Sequence, residues 1–184
     1  MKKLLSILLL SVVLIGCSEE RVLMDNLTDK GAEDNPTMYF EGVLFNGVGF
    51  DVYPNGQLNE EAHFKDGVFD GLLKYWNENG QLEYEGNFKD GEADGLHKGW
   101  YENGQLKVEG KYKNGEQDGL SKEWYENGQL RFEGNYKDGM PMPNELSKEW
   151  YEDGQLQAET SYNLYSRRIG YKEWYENGQL KYEA

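Results

Sequence analysis

Short segments of alternating apolar and polar residues run through most of this chain, separated by turns rich in glycine. In one segment Leu106, Val108, Gly110 and Tyr112 fall on one side of an extended backbone, and the residues between them are mostly polar. A period of two indicates half-buried β-strands. No stretch shows a helical period long enough for a helix, and the turns contain Asn-Gly or Asp-Gly. The pattern therefore predicts consecutive β-hairpins.

One unit of this pattern repeats, and the tryptophans occupy the same place in each copy. They are Trp76, Trp100, Trp124, Trp150 and Trp174. Each is followed four residues later by a glycine, and an earlier copy ends at Gly56 with Val52 in the tryptophan position. Successive glycines are separated by 24, 24, 24, 26 and 24 residues. Such a period is typical of repeat arrays, so we expect an all-β, elongated row of antiparallel hairpins with the tryptophans as its structural core.

The turn after each tryptophan decides which side chains share a face. A two-residue Asn127-Gly128 loop would pair Tyr125 with Leu130. A three-residue loop ending in Gly128, with that glycine in the left-handed region as a bulge, would instead pair Trp124 with Leu130. Because a slip of one residue exchanges the two faces, burial of the indole favours the three-residue loop.

The three-residue loop makes further predictions about neighbouring side chains. It places four apolar residues on one face, namely Leu120, Trp124, Leu130 and Phe132. It predicts two cross-strand ion pairs, Glu123 with Arg131 and Glu173 with Lys181. One strand position carries only minimal side chains, at Ala62, Gly86, Gly110 and Gly134, and we expect them to leave room for a neighbouring tryptophan. One such unit should not fold alone, whereas a stacked row should.

The first 37 residues differ from the repeats in composition. Residues 1–16 hold Lys2, Lys3 and an apolar run, which has the layout of a secretory signal and is short for a membrane span. The run ends in Leu-Ile-Gly before Cys17, the single cysteine of the chain, and this string resembles a bacterial lipobox. We therefore expect a diacylglycerol lipid on Cys17 and no other cofactor, residues 17–37 as a flexible acidic tether, and residues 38–184 as the repeat domain.

Lipidation at Cys17 implies an address in the bacterial cell envelope. In a cell with two membranes the protein would lie on the periplasmic or surface side of the outer membrane, and otherwise on the outer face of the plasma membrane. With no further cysteine, the secreted domain can form no internal disulfide. Its stability must come from packing and hydrogen bonds.

The chain is strongly acidic, with a formal charge of −15. Without Lys2 and Lys3 it keeps 17 Lys and Arg against 34 Asp and Glu, a charge of −17. A surface of this sign repels nucleic acid and anionic lipid head groups. We therefore expect a monomer that binds no nucleic acid and is held to the membrane by its acyl chains.

Few residues suggest chemistry. The two histidines, His63 and His97, occupy different places in the repeat, and we interpret both as solvent-facing residues rather than catalytic bases. The carboxylates recur with the repeat instead of forming a single pair, so we expect no enzyme. A calcium site is an alternative in the glycine-rich loop that holds Asp90, Glu92 and Asp94, because calcium prefers oxygen ligands. Asp-Gly is also an ordinary turn sequence.

A row of tyrosines is the candidate binding surface. They follow the tryptophan position of five repeats, as Tyr53, Tyr101, Tyr125, Tyr151 and Tyr175. On the face opposite the tryptophans they would form an exposed stripe able to stack sugars or hold an extended peptide. The competing interpretation is that tyrosine is simply favoured in half-buried strands.

The repeat resembles the bacterial variant form of the MORN repeat. The matching elements are Tyr84-Glu85-Gly86-Asn87-Phe88-Lys89-Asp90-Gly91, Asp94-Gly95-Leu96 and Trp100-Tyr101-Glu102-Asn103-Gly104, and the resemblance covers about residues 39–184. It implies a twisted single-layer sheet of hairpins. Many bacterial members of this family are described as antitoxin components of toxin–antitoxin systems, and other MORN proteins as membrane-associated scaffolds.

The first, fifth and sixth copies depart from the pattern. The first is four residues short, the fifth carries a two-residue insertion around residues 140–144, and the sixth has Asn163-Leu164-Tyr165 in place of a Lys-Asp-Gly turn. Departures in terminal copies are typical of capping units, and those of the fifth and sixth copies are alternatively the mark of a binding surface. Taken together, the sequence predicts a lipid-anchored, non-catalytic scaffold that binds a protein, in its narrower form a toxin. The alternative is a binder of cell-wall carbohydrate that uses the tyrosine stripe.

Overall fold

The computed structural model describes residues 19–31 and 37–184. The predicted signal, residues 1–16, and the predicted lipidation site, Cys17, lie outside the described residues. Within the described part of the chain, no helix is long and apolar enough to cross a membrane.

Strands dominate the described residues, together with one 3-10 turn at Met24–Asn26. The strands are β1 (Arg21–Leu23), β2 (Thr28–Asp29), β3 (Met38–Phe40), β4 (Val43–Leu44), β5 (Gly47–Val52), β6 (Leu58–Lys65), β7 (Val68–Trp76), β8 (Leu82–Lys89), β9 (Glu92–Trp100), β10 (Leu106–Lys113), β11 (Glu116–Trp124), β12 (Leu130–Lys137), β13 (Met140–Pro141), β14 (Leu146–Trp150), β15 (Leu156–Tyr162), β16 (Arg168–Trp174) and β17 (Leu180–Glu183).

Consecutive strands are neighbours in one long open sheet. Its order runs β1-β5-β6 and then along the chain to β12, β14, β15, β16 and β17, with β13 beside β12. Every pair is antiparallel except β1 with β5. A second, three-stranded sheet is formed by β2, β3 and β4. The predicted all-β row of sequential hairpins is confirmed.

Two kinds of turn alternate along the sheet. Asp90-Gly91 is a two-residue turn in which both residues have positive φ, 50° and 86°, as a type I′ turn requires. The turn after Trp124 is the predicted three-residue loop. The Tyr125 N–H donates to the Gln129 carbonyl at 2.9 Å, and Gly128 (φ 83°) donates to the Tyr125 carbonyl at 2.9 Å.

The register predicted from this loop is confirmed at the tryptophan. Trp124 pairs with Leu130, and the equivalent pair closes the other repeats. Both predicted ion pairs form. The Arg131 guanidinium lies 2.9 Å from the Glu123 carboxylate, and the corresponding Lys181–Glu173 distance is 2.6 Å.

A bulge next to this pair overturns part of the face assignment. The register shifts between Glu123 and Trp124, so that Glu123 pairs with Phe132 and Arg131 is the extra residue. Directly paired residues point to the same side of a sheet. Phe132 therefore lies on the face opposite Trp124, and in the previous repeat Leu106 is separated from Val108 in the same way.

The sheet thus has two distinct faces. We call one the ladder face; it carries the tryptophans, their leucine partners and a row of charges that includes Lys74 and Glu85. The other is the aromatic face; it carries Tyr84, His97 and Phe132. Assignment follows from the register of the strands.

The buried core does not lie where the sequence placed it. All five tryptophans are only half-buried. The buried apolar cluster lies instead at the N-terminal end, where Phe45, Ala62, Phe64 and Leu73 pack with Val22. A single-layer sheet has no second layer to cover an indole ring, whereas the first repeats are covered by the segments that precede them.

The minimal side chains serve the aromatic face rather than the tryptophans. One continuous row crosses the strands, and each of its members pairs with the next on the neighbouring strand. The row consists of Gly49, Ala62, Leu73, Gly86, His97, Gly110, Ser121 and Gly134. A Cβ on Gly86 would collide with the Tyr84 hydroxyl and lie 2.6 Å from His97 Nδ1. The space that glycine leaves is therefore filled by aromatic side chains of its own strand and the next.

The predicted flexible acidic tether, residues 17–37, contains a strand in its first described part. Strand β1 pairs in parallel with β5, and Val22 is 6% exposed in the core cluster. The Arg21 guanidinium contacts the Glu61 carboxylate at 2.6 Å. Three residues are too few to show an alternating pattern in sequence, yet they cover the edge strand that a repeat array must protect.

Gly86 and Gly110 offer a matched test of this packing. Gly86→Ala should lower the free energy of unfolding by about 1–3 kcal/mol, because the methyl group displaces the Tyr84–His97 contact. Gly110→Ala meets only ordinary contacts of 3.4 Å and beyond. It should be neutral or stabilising by about 0.4–1 kcal/mol through the unfolded chain. Urea denaturation of both variants measures this, and equal losses would contradict the assignment.

Candidate binding surface

Alternating charges cross the whole ladder face. The paired residues are, strand by strand, Glu61, Lys74, Glu85, Lys98, Glu109, Lys122, Glu133, Lys148, Glu159, Lys172 and Glu183. Within each hairpin the ammonium and carboxylate are 2.9 to 3.6 Å apart. Such half-exposed pairs contribute roughly 0.2–1 kcal/mol each. Each lysine in this row has its own carboxylate partner, so the ladder face is largely neutralised internally.

Aromatic rings stack along the first half of the other face. Ring centroids 4.7 to 6.2 Å apart link Phe40, Phe45, Phe64, Phe69, Phe88, His97 and Tyr112. Met24, Leu27 and Met38 pack against the start of this row. Offset and tilted ring pairs of this kind stabilise beyond simple burial, and the start of the aromatic face is closed by them.

His97 lies inside that row, which corrects its interpretation as a solvent-facing residue. It is 8% exposed. Its Nε2–H donates to the Asn87 carbonyl at 2.8 Å, which leaves Nδ1 to accept from the Tyr84 hydroxyl at 2.7 Å. Burial lowers the pKa of His97 below its ordinary value, and the Asn87 carbonyl acts against that shift. His97 is therefore held neutral as a packing residue. His63 is half-buried, with Nδ1 3.4 Å from the Glu19 carboxylate.

The predicted tyrosine stripe lies at the three-residue turns and joins neighbouring repeats. Each hydroxyl donates to the carbonyl of the next repeat's tryptophan at 2.7 to 2.9 Å, from Tyr53 to Trp76, Tyr101 to Trp124, Tyr125 to Trp150 and Tyr151 to Trp174. These four tyrosines are half-buried, and only Tyr175 is exposed, at 50%. The expected exposed stripe is thus reduced to ring faces at four of its five positions.

The turn asparagines make a second connection along the same edge. The Asn103 side chain donates to the Glu126 carbonyl at 3.0 Å, and the Asn127 side chain to the Glu152 carbonyl at 2.8 Å. The asparagine of each of these Asn-Gly turns thus has a second role, because its side-chain amide aligns one hairpin with the next.

The alternative calcium loop does not assemble a ligand set. Across residues 19–31 and 37–184, no three Asp, Glu, His or Cys side chains are grouped for a metal ion. Asp90 and Gly91 form the two-residue turn, and the Asp90 N–H donates to the Asp70 carboxylate at 3.4 Å. Glu92 and Asp94 extend along β9 instead of converging with Asp90.

The second half of the aromatic face contains an open trough. Its cavity of about 490 Å³ is lined by Glu123, Tyr125, Arg131, Phe132, Tyr136, Glu149 and Gln157. The row of minimal residues continues past it as buried Ser121 and Ser147. Small side chains along the middle of the face and rings beside them create this depression. A smaller one, of about 290 Å³, lies between Tyr84, His97 and Tyr112 in the first half of the face.

The trough holds two carboxylates, those of Glu123 and Glu149, and one cation, Arg131. Burial raises the pKa of the Tyr136 hydroxyl, and Tyr162, Glu123 and Tyr112 raise it further. Sequence reasoning missed this site because the bulge moves Phe132 and Glu123 to one face. The available signal was Gln157, which stands where two other repeats have Arg131 and Lys181.

The buried imidazole makes stability depend on pH. The unfolded chain takes up a proton on His97 near its ordinary pKa, whereas the folded protein resists until the pH is lower. The contribution of neutral His97 is therefore complete above the unfolded pKa, about 6.5, and is lost as the pH falls toward the folded pKa. One such group changes stability by at most about 1.4 kcal/mol per pH unit.

We expect the free energy of unfolding to fall between pH 7.5 and 5.5, and His97→Leu to flatten that dependence. Leucine occupies the equivalent place in the preceding repeat, at Leu73. Gly110→Ala, next to His97 in the same row, is the control and should keep the slope, because it removes no titratable group. Urea denaturation at several pH values measures it, and a wild-type slope in His97→Leu would contradict the buried neutral imidazole.

Comparison with known families agrees with this geometry. The MORN repeat variant family matches six successive segments, residues 45–66, 69–90, 93–114, 117–138, 146–164 and 171–184. Each segment contains one hairpin with a three-residue turn, and together they make up more than half of the chain. No curated protein matches the sequence. The repeat-only architecture is consistent with a non-catalytic protein. The chain belongs to the MORN repeat variant family.

Proposed function

We propose that this protein is a lipid-anchored binding scaffold of the cell envelope, and that it holds a protein partner on the open half of its aromatic face. The family supports the coarser part of this proposal, because MORN repeats without any other domain suggest a binding scaffold.

One observation carries the choice of face. The aromatic face of the first repeats is covered by residues 22–27 and 38–45. Val108 (37% exposed) and Tyr182 (52% exposed) lie on the same face in the later repeats, where no segment among the described residues covers them in this way. Exposed apolar and aromatic side chains beside a depression are typical of protein interaction sites. The ladder face also exposes apolar residues, among them Leu120 (45%) and Leu146 (48%). Its row of charges, however, is already paired.

The anchor is supported by sequence alone. An apolar run after two lysines ends directly before the single cysteine, Cys17. Acyl chains bind by burial of methylene groups, at about 0.8 kcal/mol each, and therefore suit a domain whose negative charge opposes binding to anionic head groups.

The antitoxin role is the narrower form of this proposal. It follows from the resemblance to bacterial MORN variants and requires a toxin located in the envelope, because a lipidated protein is removed from the cytosol. The carbohydrate alternative would need glycans to stack on the ring faces of the tyrosine stripe, since four of its hydroxyls are donated within the fold.

The partner proposal is tested by cross-linking in intact cells, followed by purification of the tagged full-length protein. Val108→Glu places a charge on the aromatic face, and Leu120→Glu is its matched control on the ladder face, where Leu120 is 45% exposed. We expect one protein to co-purify in stoichiometric amount, to be lost with Val108→Glu and to be retained with Leu120→Glu.

Other outcomes of that experiment assign a different function. Loss of the partner with Leu120→Glu alone would place binding on the ladder face. Recovery of glycan without protein, abolished when Tyr101, Tyr125 and Tyr151 are changed to Ala, would favour the carbohydrate alternative. Melting temperatures of both Glu variants equal to that of the wild type would show that neither effect comes from unfolding.

The anchor proposal makes a separate prediction. Cys17→Ala should move the protein from the membrane fraction to the soluble fraction, because the thiol that carries the lipid is absent. Cell fractionation with immunoblotting measures this, together with metabolic labelling by a fatty acid. A Cys17→Ala protein that still sediments with membranes would contradict the lipid anchor and leave the proposal for the binding face intact.

A further inference from the structure

One position on the aromatic face carries a glutamate in three successive repeats. Glu123, Glu149 and Glu173 each precede a tryptophan, and their strand partners across the hairpin are Phe132, Ala158 and Tyr182. The bulged residues of these hairpins are Arg131, Gln157 and Lys181 in the same order, and Arg131 and Lys181 contact the glutamate of their own hairpin. The bulge thus provides each hairpin with a position for a cationic partner.

The cationic partner is present in two of the three repeats. Arg131 contacts Glu123 at 2.9 Å, and Lys181 contacts Glu173 at 2.6 Å. Gln157 is neutral, and no Lys, Arg or His of the described segments lies within ion-pair distance of the Glu149 carboxylate. Nearby Lys148 points to the ladder face and contacts Glu159 at 3.6 Å. Glu149 is therefore a carboxylate whose repeat-specific cation is missing.

The surroundings of Glu149 suit a cation supplied from outside. It lines the open trough together with Phe132 and Tyr136, and aromatic rings attract a positive charge. The trough also holds Arg131, whose charge is paired with Glu123 at 2.9 Å. Phe132 pairs directly with Glu149 across the strands. The Gln157 side chain lines the same trough and can hydrogen-bond a guanidinium or ammonium group without repelling it. The cavity, about 490 Å³, has ample room for one long side chain.

The charge of the chain indicates the class of partner. At −15 the protein attracts cationic molecules and repels anionic ones. The second carboxylate of the trough, Glu123, is already paired with Arg131, so the site offers few free oxygen ligands to a divalent metal, which takes several. It is a good site for an arginine or lysine side chain, which forms a charge-assisted hydrogen bond and stacks on aromatic rings.

We propose that Glu149 and Gln157 with the rings of Phe132 and Tyr136 form a pocket for an arginine or lysine side chain of a basic protein segment, which takes the place that Arg131 and Lys181 fill in the neighbouring repeats. This inference rests on the proposed partner-binding function and names the chemistry of the partner. A binding partner should accordingly present basic side chains at the contact.

The test uses a hexa-arginine peptide as probe and hexacitrulline as its neutral isostere, titrated into the full-length protein in detergent. Glu149→Gln should weaken hexa-arginine binding by roughly tenfold, because a desolvated charged hydrogen bond is lost. Hexacitrulline should bind at least tenfold more weakly than hexa-arginine to the wild type and should be insensitive to this change. Calorimetry or a fluorescence titration supplies both constants.

Gln157→Arg gives the decisive variant, because it supplies the missing cation from within the chain. It should weaken hexa-arginine binding as much as Glu149→Gln does, while its melting temperature stays equal to the wild type or rises. Loss of binding in a protein that is no less stable cannot arise from unfolding. Unchanged binding in Gln157→Arg would overturn the proposal.

Glu126→Gln is the control for general electrostatics, since it removes the same charge from an exposed turn. It should change the affinity by less than about twofold. Equal weakening by Glu126→Gln and Glu149→Gln would mean diffuse attraction to an acidic surface and would overturn the pocket. Competition of hexa-arginine by a peptidoglycan fragment that Glu149→Gln does not bind would assign the trough to carbohydrate and overturn it as well.

The in-cell cross-linking experiment separates this inference from the proposed function. Retention of the same stoichiometric partner by Glu149→Gln and Gln157→Arg would exclude the pocket and leave the scaffold function standing. Specific hexa-arginine binding at Glu149 without any cross-linked partner would uphold the pocket and remove the support for the scaffold function.

Discussion

The structure depends on cross-strand register. A single-layer sheet has no opposing layer, so each side chain is stabilised chiefly by the residues directly paired with it on the neighbouring strands. Register is fixed twice in each repeat, by the two-residue turn at one edge and the three-residue turn at the other. A slip of one residue would move Lys74 and Glu85 away from the ladder and expose the small residues of the opposite row. The ion pairs and the ring contacts are thus consequences of the turns.

Much of this could be predicted from sequence, because turn chemistry is local. Asn127-Gly128, followed by alternating residues, was enough to predict the pairing of Trp124 with Leu130. The sequence does not reveal the bulge at Arg131. The alternation of apolar and polar residues along one strand does not show where that strand has one residue more than the strand it pairs with. That bulge moved Phe132 to the other face, and the candidate site moved with it.

Burial was predicted less well, for a different physical reason. The size of tryptophan suggests a core, yet a ring is buried only where something covers it. In this protein the cover comes from short segments such as β1, whose three residues have no recognisable period. His97 illustrates the same point, because its polarity suggested a solvent-facing place. Two hydrogen bonds, one from Tyr84 and one to Asn87, satisfy both ring nitrogens and allow burial. The tether and the tyrosine stripe were inferred from the types of residue present. Residue type alone does not show the pairing of β1 with β5 or the hydrogen bonds of the tyrosine hydroxyls.

Because the units repeat, a position that differs from its equivalents in the other repeats can be recognised and compared with them. In a globular core, replacing one partner of an ion pair usually disturbs many neighbours, but in a row of hairpins the effect is confined to adjacent units. The fifth repeat can therefore keep Glu149 while Gln157 replaces the cation, and the half-exposed pair that is lost would have contributed little to folding. The free carboxylate costs the fold little because it remains hydrated. Its interaction becomes strong only when a partner removes that water and supplies the opposite charge. A departure that leaves the frame intact while changing its surface chemistry is the simplest way for such an array to acquire a specific binding site.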